Sequence, residues 1–245
     1  MILSNIAILD AIERGALKIE HLAGRDPSAS PFNTTAVDLR LGTEILVPKS
    51  DQPLALDLRK KGISSFLHQH STTYRISEDQ PFTLRKGTFV LGNTMEKVGF
   101  PLLTDEQCYS GRVEGKSSLA RCGILVHFTA PTIHAGFTGT ITLEMINLSE
   151  NDFLLYPGMF VCQLIVEEVK GYPTGAPNQF IGQTKPEAAY GRMMRNEARF
   201  RIVLVTVASS RTDRRIRLVT GSEDKTARLW GLENLSVNQE MDFFR

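Results

Sequence analysis

Cysteine is scarce. The 245-residue chain holds three, Cys108, Cys122 and Cys162, and none forms a C-x-x-C pair. So sparse and odd a set speaks against a disulfide framework and suggests a reducing compartment, with the cytoplasm as the expected location. Long apolar runs are missing too: no stretch approaches the ~20 residues of a membrane span. The start, Met1 to Leu9, lacks a basic region and is followed by Asp10 and Glu13, so no signal peptide is expected. Neither sign of charge dominates. Lys and Arg total 28 against 27 Asp and Glu, a net of +1, which gives no reason to expect a nucleic-acid or other polyanionic partner. What the chain does have is 42% hydrophobic and 22% charged residues, an ordinary globular composition that rules out disorder as the main state. At roughly 100–200 residues per domain, this is one large domain or one domain with an appendage.

Helical periodicity is convincing only near the N-terminus. Ile6, Leu9 and Ile12, with Ile8 beside them, form an apolar stripe that Ser4 can cap and Gly15 can end. Beyond it, short alternating segments dominate: Val37, Leu39 and Leu41; Ile141, Leu143 and Met145; Phe160, Cys162, Leu164 and Val166. Turn residues separate them, among them Gly42, Pro53, Gly87, Gly136 and Pro157-Gly158. Many short strands with frequent turns predict a mainly β barrel or sandwich rather than βαβ units.

Two constellations could carry chemistry. Gly115-Lys116-Ser117-Ser118 looks like the end of a P-loop, but Ser110 stands where that motif needs Gly, Gly111 is off by one, and the strand–loop–helix context is missing. A lesser phosphate role survives. Residues 117–122 can form a helical turn ended by Gly123, whose free N–H groups would face an anion. Ser117 and Arg121, four apart, share a face, and Lys116 adds charge at the same end. The plainer reading is a capped surface turn. The second constellation is Glu144, which alternation places with Thr140, Thr142 and Ile146, opposite the apolar Ile141, Leu143 and Met145. It reads either as a general base with a pKa raised by burial or as one residue of a strand with a wet second face. Metal chemistry finds little support. The zinc deaminase pattern of H-x-E followed by P-C-x-x-C is absent, the cysteines lack zinc-ligand spacing, and His68 and His70 have no third ligand nearby. No G-x-S-x-G elbow supports a covalent mechanism.

The stretch 113–124 (VEGKSSLARCGI), followed by 126–144 (VHFTAPTIHAGFTGTITLE), resembles the dCTP deaminase family, which has the dUTPase-like trimeric β-fold. Further matching pieces lie before and after it in the expected order: 35–42 (TAVDLRLG), 155–159 (LYPGM), Gln163 and 179–183 (QFIGQ). The resemblance covers about residues 1–185. It implies a dUTPase-like distorted β-barrel with a short N-terminal helix, and hydrolysis of dCTP to dUTP and ammonia without zinc, supplying dUTP for thymidylate synthesis. By the same resemblance Glu144 is the general base, and Ser117 and Arg121 orient the water and polarise the base. Lys116, Ser117, Ser118, Leu119, Ala120 and Arg121 lie along the triphosphate and near the base. Thr142 and Leu143 read the pyrimidine edge through their backbone. Gln163 contacts the nucleotide, and Tyr172, Gln179 and Gln183 belong to a C-terminal element that closes over it. Mg²⁺ is expected on the substrate's phosphates, because a hard cation prefers their oxygens. A homotrimer with sites between subunits is implied, and inhibition by dTTP is suggested.

Four positions depart from the pattern. His134 stands where many relatives carry an Asp that contacts the sugar hydroxyl and, in diphosphatases, helps place a second water. A neutral imidazole can hydrogen-bond a hydroxyl but is a poorer water-activating group. Lys116 replaces a common Arg and loses its bidentate fork. Pro131 and Gln179 also differ from the common residues. Three other readings therefore stay open: a bifunctional deaminase and diphosphatase giving dUMP, a plain dUTPase, and a non-catalytic nucleotide-sensing or interaction module.

Residues 1–191 are read as the deaminase-like domain and 192–245 as an appendage. From Arg192 to Arg217 there are eight arginines against only Glu197 and Asp213. Residues 214–231 (RRIRLVTGSEDKTARLWG) resemble the end of a WD repeat, with Trp230-Gly231 at the usual Trp-Asp. A lone blade lacks the neighbours that would bury its faces. A fused, partly disordered piece is therefore favoured over a docking strand pair. No aromatic interleaving supports nucleic-acid binding by the arginines.

Overall fold

Residues with period-two alternation form strands, and the one convincing helical stripe forms a helix. The computed structural model describes residues 1–49, 67–103, 107–175, 182 and 184–185, with the backbone of 202–206, 217–221, 226–231 and 239–242. The chain divides into two compact units, one of Met1–Val47 with Thr72–Glu187, the other of Pro48–Ser71 with Ala188–Arg245.

The first unit opens with α1 (Asn5–Glu13), capped by the Ser4 hydroxyl, which accepts the Ala7 N–H at 3.3 Å. The buried stripe is centred on Ile8 and Ala11, with Leu9 and Ile12 flanking it, while Ile6 is 69% exposed. The expected stripe is thus rotated. Ile6 lies two residues from Ile8, roughly 200° round the helix, and so points away from the core. There follow β1 (Lys18–Glu20), β2 (Phe32–Asn33), β3 (Ala36–Arg40), β4 (Glu44–Pro48), β5 (Ser71–Arg75), β6 (Phe82–Leu84), β7 (Phe89–Gly99) and β8 (Tyr109–Gly115). After the short α2 (Ser117–Arg121) come β9 (Ile124–Val126), β10 (Thr132–Ile133), β11 (Thr138–Asn147), β12 (Phe153–Leu155) and β13 (Phe160–Glu168).

Two sheets enclose one core. The first has the order β10-β8-β13-β3-β2; the second has β5-β4-β7-β11-β9, with β1 added to β7. A small β12-β6 pair stands beside them. Val37, Leu39, Val113, Leu164 and Val166 of the first sheet meet Val90, Val98, Ile141, Leu143 and Met145 of the second in a single cluster. The mainly β architecture with a short N-terminal helix is the one the alternation predicts. Gly111, off by one from the P-loop position, is a packing residue. A Cβ there would come within 2.6 Å of the Phe100 ring and 2.9 Å of Leu164. Cys162 is fully buried, and burial together with the charges of Glu96 and Asp38 pushes its thiol pKa far up.

One irregularity shapes the second sheet. The β11–β7 register runs Thr140↔Lys97 and then Thr142↔Asn93, so Ile141 faces three β7 residues, Thr94 to Glu96. The Thr94 hydroxyl mends the broken ladder, accepting the Ile141 N–H at 2.9 Å and donating to the Glu96 carbonyl at 2.7 Å. Within this bulge Glu96 is fully buried. Its carboxylate accepts the Arg40 backbone N–H at 2.8 Å and the Arg40 Nε–H at 2.6 Å, tying β7 to β3 across the core. The Arg40 guanidinium also donates to the His21 carbonyl.

In the second unit β14 (Ile202–Thr206), β15 (Arg217–Gly221), β16 (Thr226–Gly231) and β17 (Gln239–Asp242) form a four-stranded antiparallel meander. This is the strand layout of one propeller blade. The Trp230 position pairs with Leu218.

Removing one partner of the buried pair strands a charge. Arg40→Met is expected to lower the unfolding free energy by about 3–5 kcal/mol, read as a fall in the urea midpoint at constant slope. The double variant Arg40→Met/Glu96→Met is expected to recover most of that loss. A double variant as unstable as the single one would exclude charge burial as the cause.

Candidate functional site

Glu144 is placed by the pleat of β11. Gly139, Ile141, Leu143, Met145 and Asn147 are buried, and Thr138, Thr140, Thr142, Glu144 and Ile146 face the other way, half-exposed. The Glu144 side chain is 33% exposed, enough to meet a water molecule. On one side β7 puts Leu91 opposite it. On the other, β9 pairs with Met145–Asn147, and the chain leaving β9 donates the His127 N–H to the Glu144 carbonyl at 2.7 Å. His127 takes a positive φ of 61°, which turns its ring back toward β11. Its Nδ1 then lies 2.8 Å from Glu144 Oε2, with the side chain only 5% exposed. The two atoms are close but not aligned as a hydrogen bond. The other ring nitrogen, Nε2, is 2.9 Å from the Ala130 carbonyl.

The second half of the expected set lies on α2. β8 ends at Gly115, where a Cβ would meet the Val126 carbonyl at 3.1 Å, so β8 and β9 run close. Ser117, Ser118, Ala120 and Arg121 are exposed, and Leu119 anchors the turn by packing on the core. Lys116 has non-helical φ and ψ and is the N-cap residue, but it offers no side-chain cap. Its backbone N–H donates to the Val161 carbonyl at 3.3 Å. Its ammonium pairs with the buried Asp38 carboxylate and lies 5.8 Å from the centre of the Phe160 ring. Asp38 also accepts from Asn33 Nδ2 at 2.9 Å. Gln163 sits between Asp38 of β3 and Glu114 of β8 in the sheet register, beside the carboxylate that holds Lys116. The Lys116 charge is thus already engaged, whereas Arg121 has no ion-pair partner among the described residues.

The other expected residues are scattered. Leu143 is fully buried, so only its backbone faces the site. Thr142 shares the half-exposed face with Glu144. His134 is exposed in the turn between β10 and β11, and Tyr172 is 74% exposed beyond β13. Gln179 and Gln183 lie outside the described residues. Among the described residues no three His, Cys, Asp or Glu side chains gather to hold a metal ion, and no helix is long and apolar enough to cross a membrane.

Two participants were not singled out from the sequence. Asp38 sits in an alternating segment, and its neighbours Val37 and Leu39 are buried as well. A carboxylate inside so apolar a run was a signal that it needs a cation. His127 gave less warning, because its reach to Glu144 depends on the turn after β9.

A family model described as dCTP deaminase-like matches residues 2–169, a span that ends before β14. A dUMP-forming dCTP deaminase of Dictyoglomus thermophilum is 38% identical over 164 residues, covering 67% of this chain and 78% of that protein. One of Methanothermobacter thermautotrophicus is 34% identical over 194 residues, covering 77% and 92%. A protein named dCTP deaminase from Halorubrum lacusprofundi is 35% identical over 197 residues, covering 77% and 90%. Among solved structures, the 2'-deoxycytidine 5'-triphosphate deaminase of Agrobacterium tumefaciens superposes with a TM-score of 0.50 at 24% identity over 67% of this chain. This chain spans 47% of that one, and the likeness is one of fold.

Asp38→Asn keeps the shape of the Lys116 cluster and removes its counter-charge. Because Lys116 is 24% exposed and can turn toward water, the expected loss is roughly 1–3 kcal/mol in chemical denaturation. An unchanged midpoint would mean that the pair contributes nothing to the fold.

Proposed function

This chain belongs to the dCTP deaminase-like family, and from that premise we propose that it hydrolyses dCTP to dUTP and ammonia, with Glu144 as general base. The observation that supports this best is the position of Glu144, half-exposed on the rigid β11 and joined through β9 to the Ser117–Arg121 turn.

The chemistry asks for little more. Water attacks C4 of the cytosine as Glu144 takes one of its protons and passes it to the ring nitrogen. The same carboxyl then carries the remaining hydroxyl proton to the amino group, which leaves as ammonia while C4 becomes a carbonyl. A single group that both accepts and donates suits this sequence of steps. The Thr142–Leu143 backbone lies next to Glu144 on β11 and can present its N–H and C=O groups to the base edge. Arg121 and the unbonded N–H groups at the start of α2 offer donors for phosphates. Lys116 contributes less attraction than its charge suggests, because an incoming phosphate would compete with Asp38 for it. Mg²⁺ would be held by the triphosphate rather than by a protein cage. We read the assembly as a homotrimer with sites between subunits. The three free cysteines fit a reducing cytoplasm.

A second reading has its own support, since the Dictyoglomus and Methanothermobacter relatives are named as dUMP-forming. Such an enzyme also hydrolyses the triphosphate and releases pyrophosphate. An exposed His134 in place of an acidic group is the feature that weighs against that step here.

Incubation of the full chain with dCTP and Mg²⁺, with nucleotides separated by chromatography, tests both readings. Equal amounts of dUTP and ammonia are expected, with turnover about 10²–10⁴-fold lower in Glu144→Gln. Accumulation of dUMP and pyrophosphate would establish the second reading. Binding of dCTP without any turnover would overturn both and leave a nucleotide-sensing module.

A further inference from the structure

We propose that His127 is a positioning residue for Glu144. Its doubly protonated ring holds Glu144 Oε2 by charge and leaves Oε1 as the oxygen that takes the proton from water. The inference deepens the reading of Glu144 as a general base and rests on it.

The argument starts from the ring's two neighbours. The Ala130 carbonyl can only accept, so Nε2, 2.9 Å away, must carry a hydrogen. At 2.8 Å from Oε2, an unprotonated Nδ1 would hold two electron-rich atoms closer than ordinary van der Waals contact. That contact is repulsive unless a proton is present. A proton on Nδ1 makes the ring an imidazolium and leaves Glu144 ionised, as a base must be. The ring has little freedom to leave. Its side chain is 5% exposed, and its backbone N–H is fixed to the Glu144 carbonyl at 2.7 Å. Because Nδ1 has no aligned hydrogen-bond acceptor, the proposed hold is one of charge and contact.

Other charges around the pair are few. β7 presents Leu91 opposite Glu144. The charged residues of β7, Glu96 and Lys97, lie toward the far end of the strand, paired with Arg40 and Glu20. α2 packs against β9 and brings Arg121 and Lys116, the latter tied to Asp38. The chain after His127 carries the exposed His134.

The test reads the ring directly. In ¹⁵N spectra of the substrate-free full chain at neutral pH, both His127 nitrogens are expected in the N–H range. In Glu144→Gln the ring is expected to revert to the neutral form with its proton on Nε2. A neutral His127 in the unaltered protein, or a ring indifferent to Glu144→Gln, would overturn the proposal. Kinetics supply the second arm. His127→Ala is expected to lower kcat about 100-fold with KM for dCTP within about twofold. His127→Asn tolerates the positive φ and keeps a neutral donor near the Nδ1 position, so it is expected to fall between the two. Full activity in both variants, or a rise in KM alone, would also overturn it. The spectroscopic arm uses no nucleotide, so a chain that fails to turn over dCTP while showing the expected ring states would overturn the reaction and not the pairing.

Discussion

Glu96 places a carboxylate at 0% exposure between two sheets, where an isolated charge would be very costly. It is tolerated because Arg40 meets it twice, once through the backbone and once through the guanidinium. The geometry of the site depends on this contact. Arg40 belongs to β3 and Glu96 to the bulge of β7, so the pair sets how β7 lies on the opposite sheet. The bulge in turn shifts the β11 register by the amount that puts Thr142 opposite Asn93 and Glu144 opposite Leu91. With a regular ladder in its place, every later β11 residue would move along β7, and the exposed face would present its side chains at different points. A structural ion pair in the core thus decides where a carboxylate on the surface stands.

The two halves of the site are held by different physics. Glu144 cannot turn inward, because Leu143 and Met145, on either side of it, are fully buried and the pleat alternates. Moving it would mean withdrawing two large side chains from the core. The α2 turn has no such constraint. It is five residues long, too short to be stable alone, and is fastened by Leu119 on the core and by Lys116 on Asp38. In the proposed reaction the rigid half would carry the base, which needs a fixed distance to a water, and the loosely fastened half the donors for phosphates. Phosphate recognition tolerates small shifts better than proton transfer does, so this division suits both tasks.

What the sequence revealed follows the same division. The alternation of β11 was legible because period two is a local property, and it put Leu143 and Glu144 on opposite faces while leaving open whether the second face was buried or wet. Gly111 could be set aside as a phosphate-loop residue, and its role in the fold became clear only with Phe100 beside it, since those two residues are far apart in sequence. The rotation of α1 had the same origin: Ile6 and Ile8 are equally apolar, and only the position of the sheets decides which is covered. His127 was the least legible. Its contact with Glu144 depends on a left-handed residue at a strand end, a choice made by tertiary context and against intrinsic preference.

The electrostatics of the site also look different from what a count of its residues suggests. Lys116 and Arg121 flank one short turn, and their formal charges add to two. Asp38 removes much of the first at the cost of burying itself. The charge left to attract a polyphosphate is then mainly that of Arg121, helped by N–H groups that carry no full charge. A guanidinium can bind two phosphate oxygens at once, so affinity concentrated there is directional. In the proposed reaction such an arrangement would favour orientation of the nucleotide over tight retention. Orientation is what a general base fixed on β11 would require, since Glu144 could not move to meet a misplaced nucleobase.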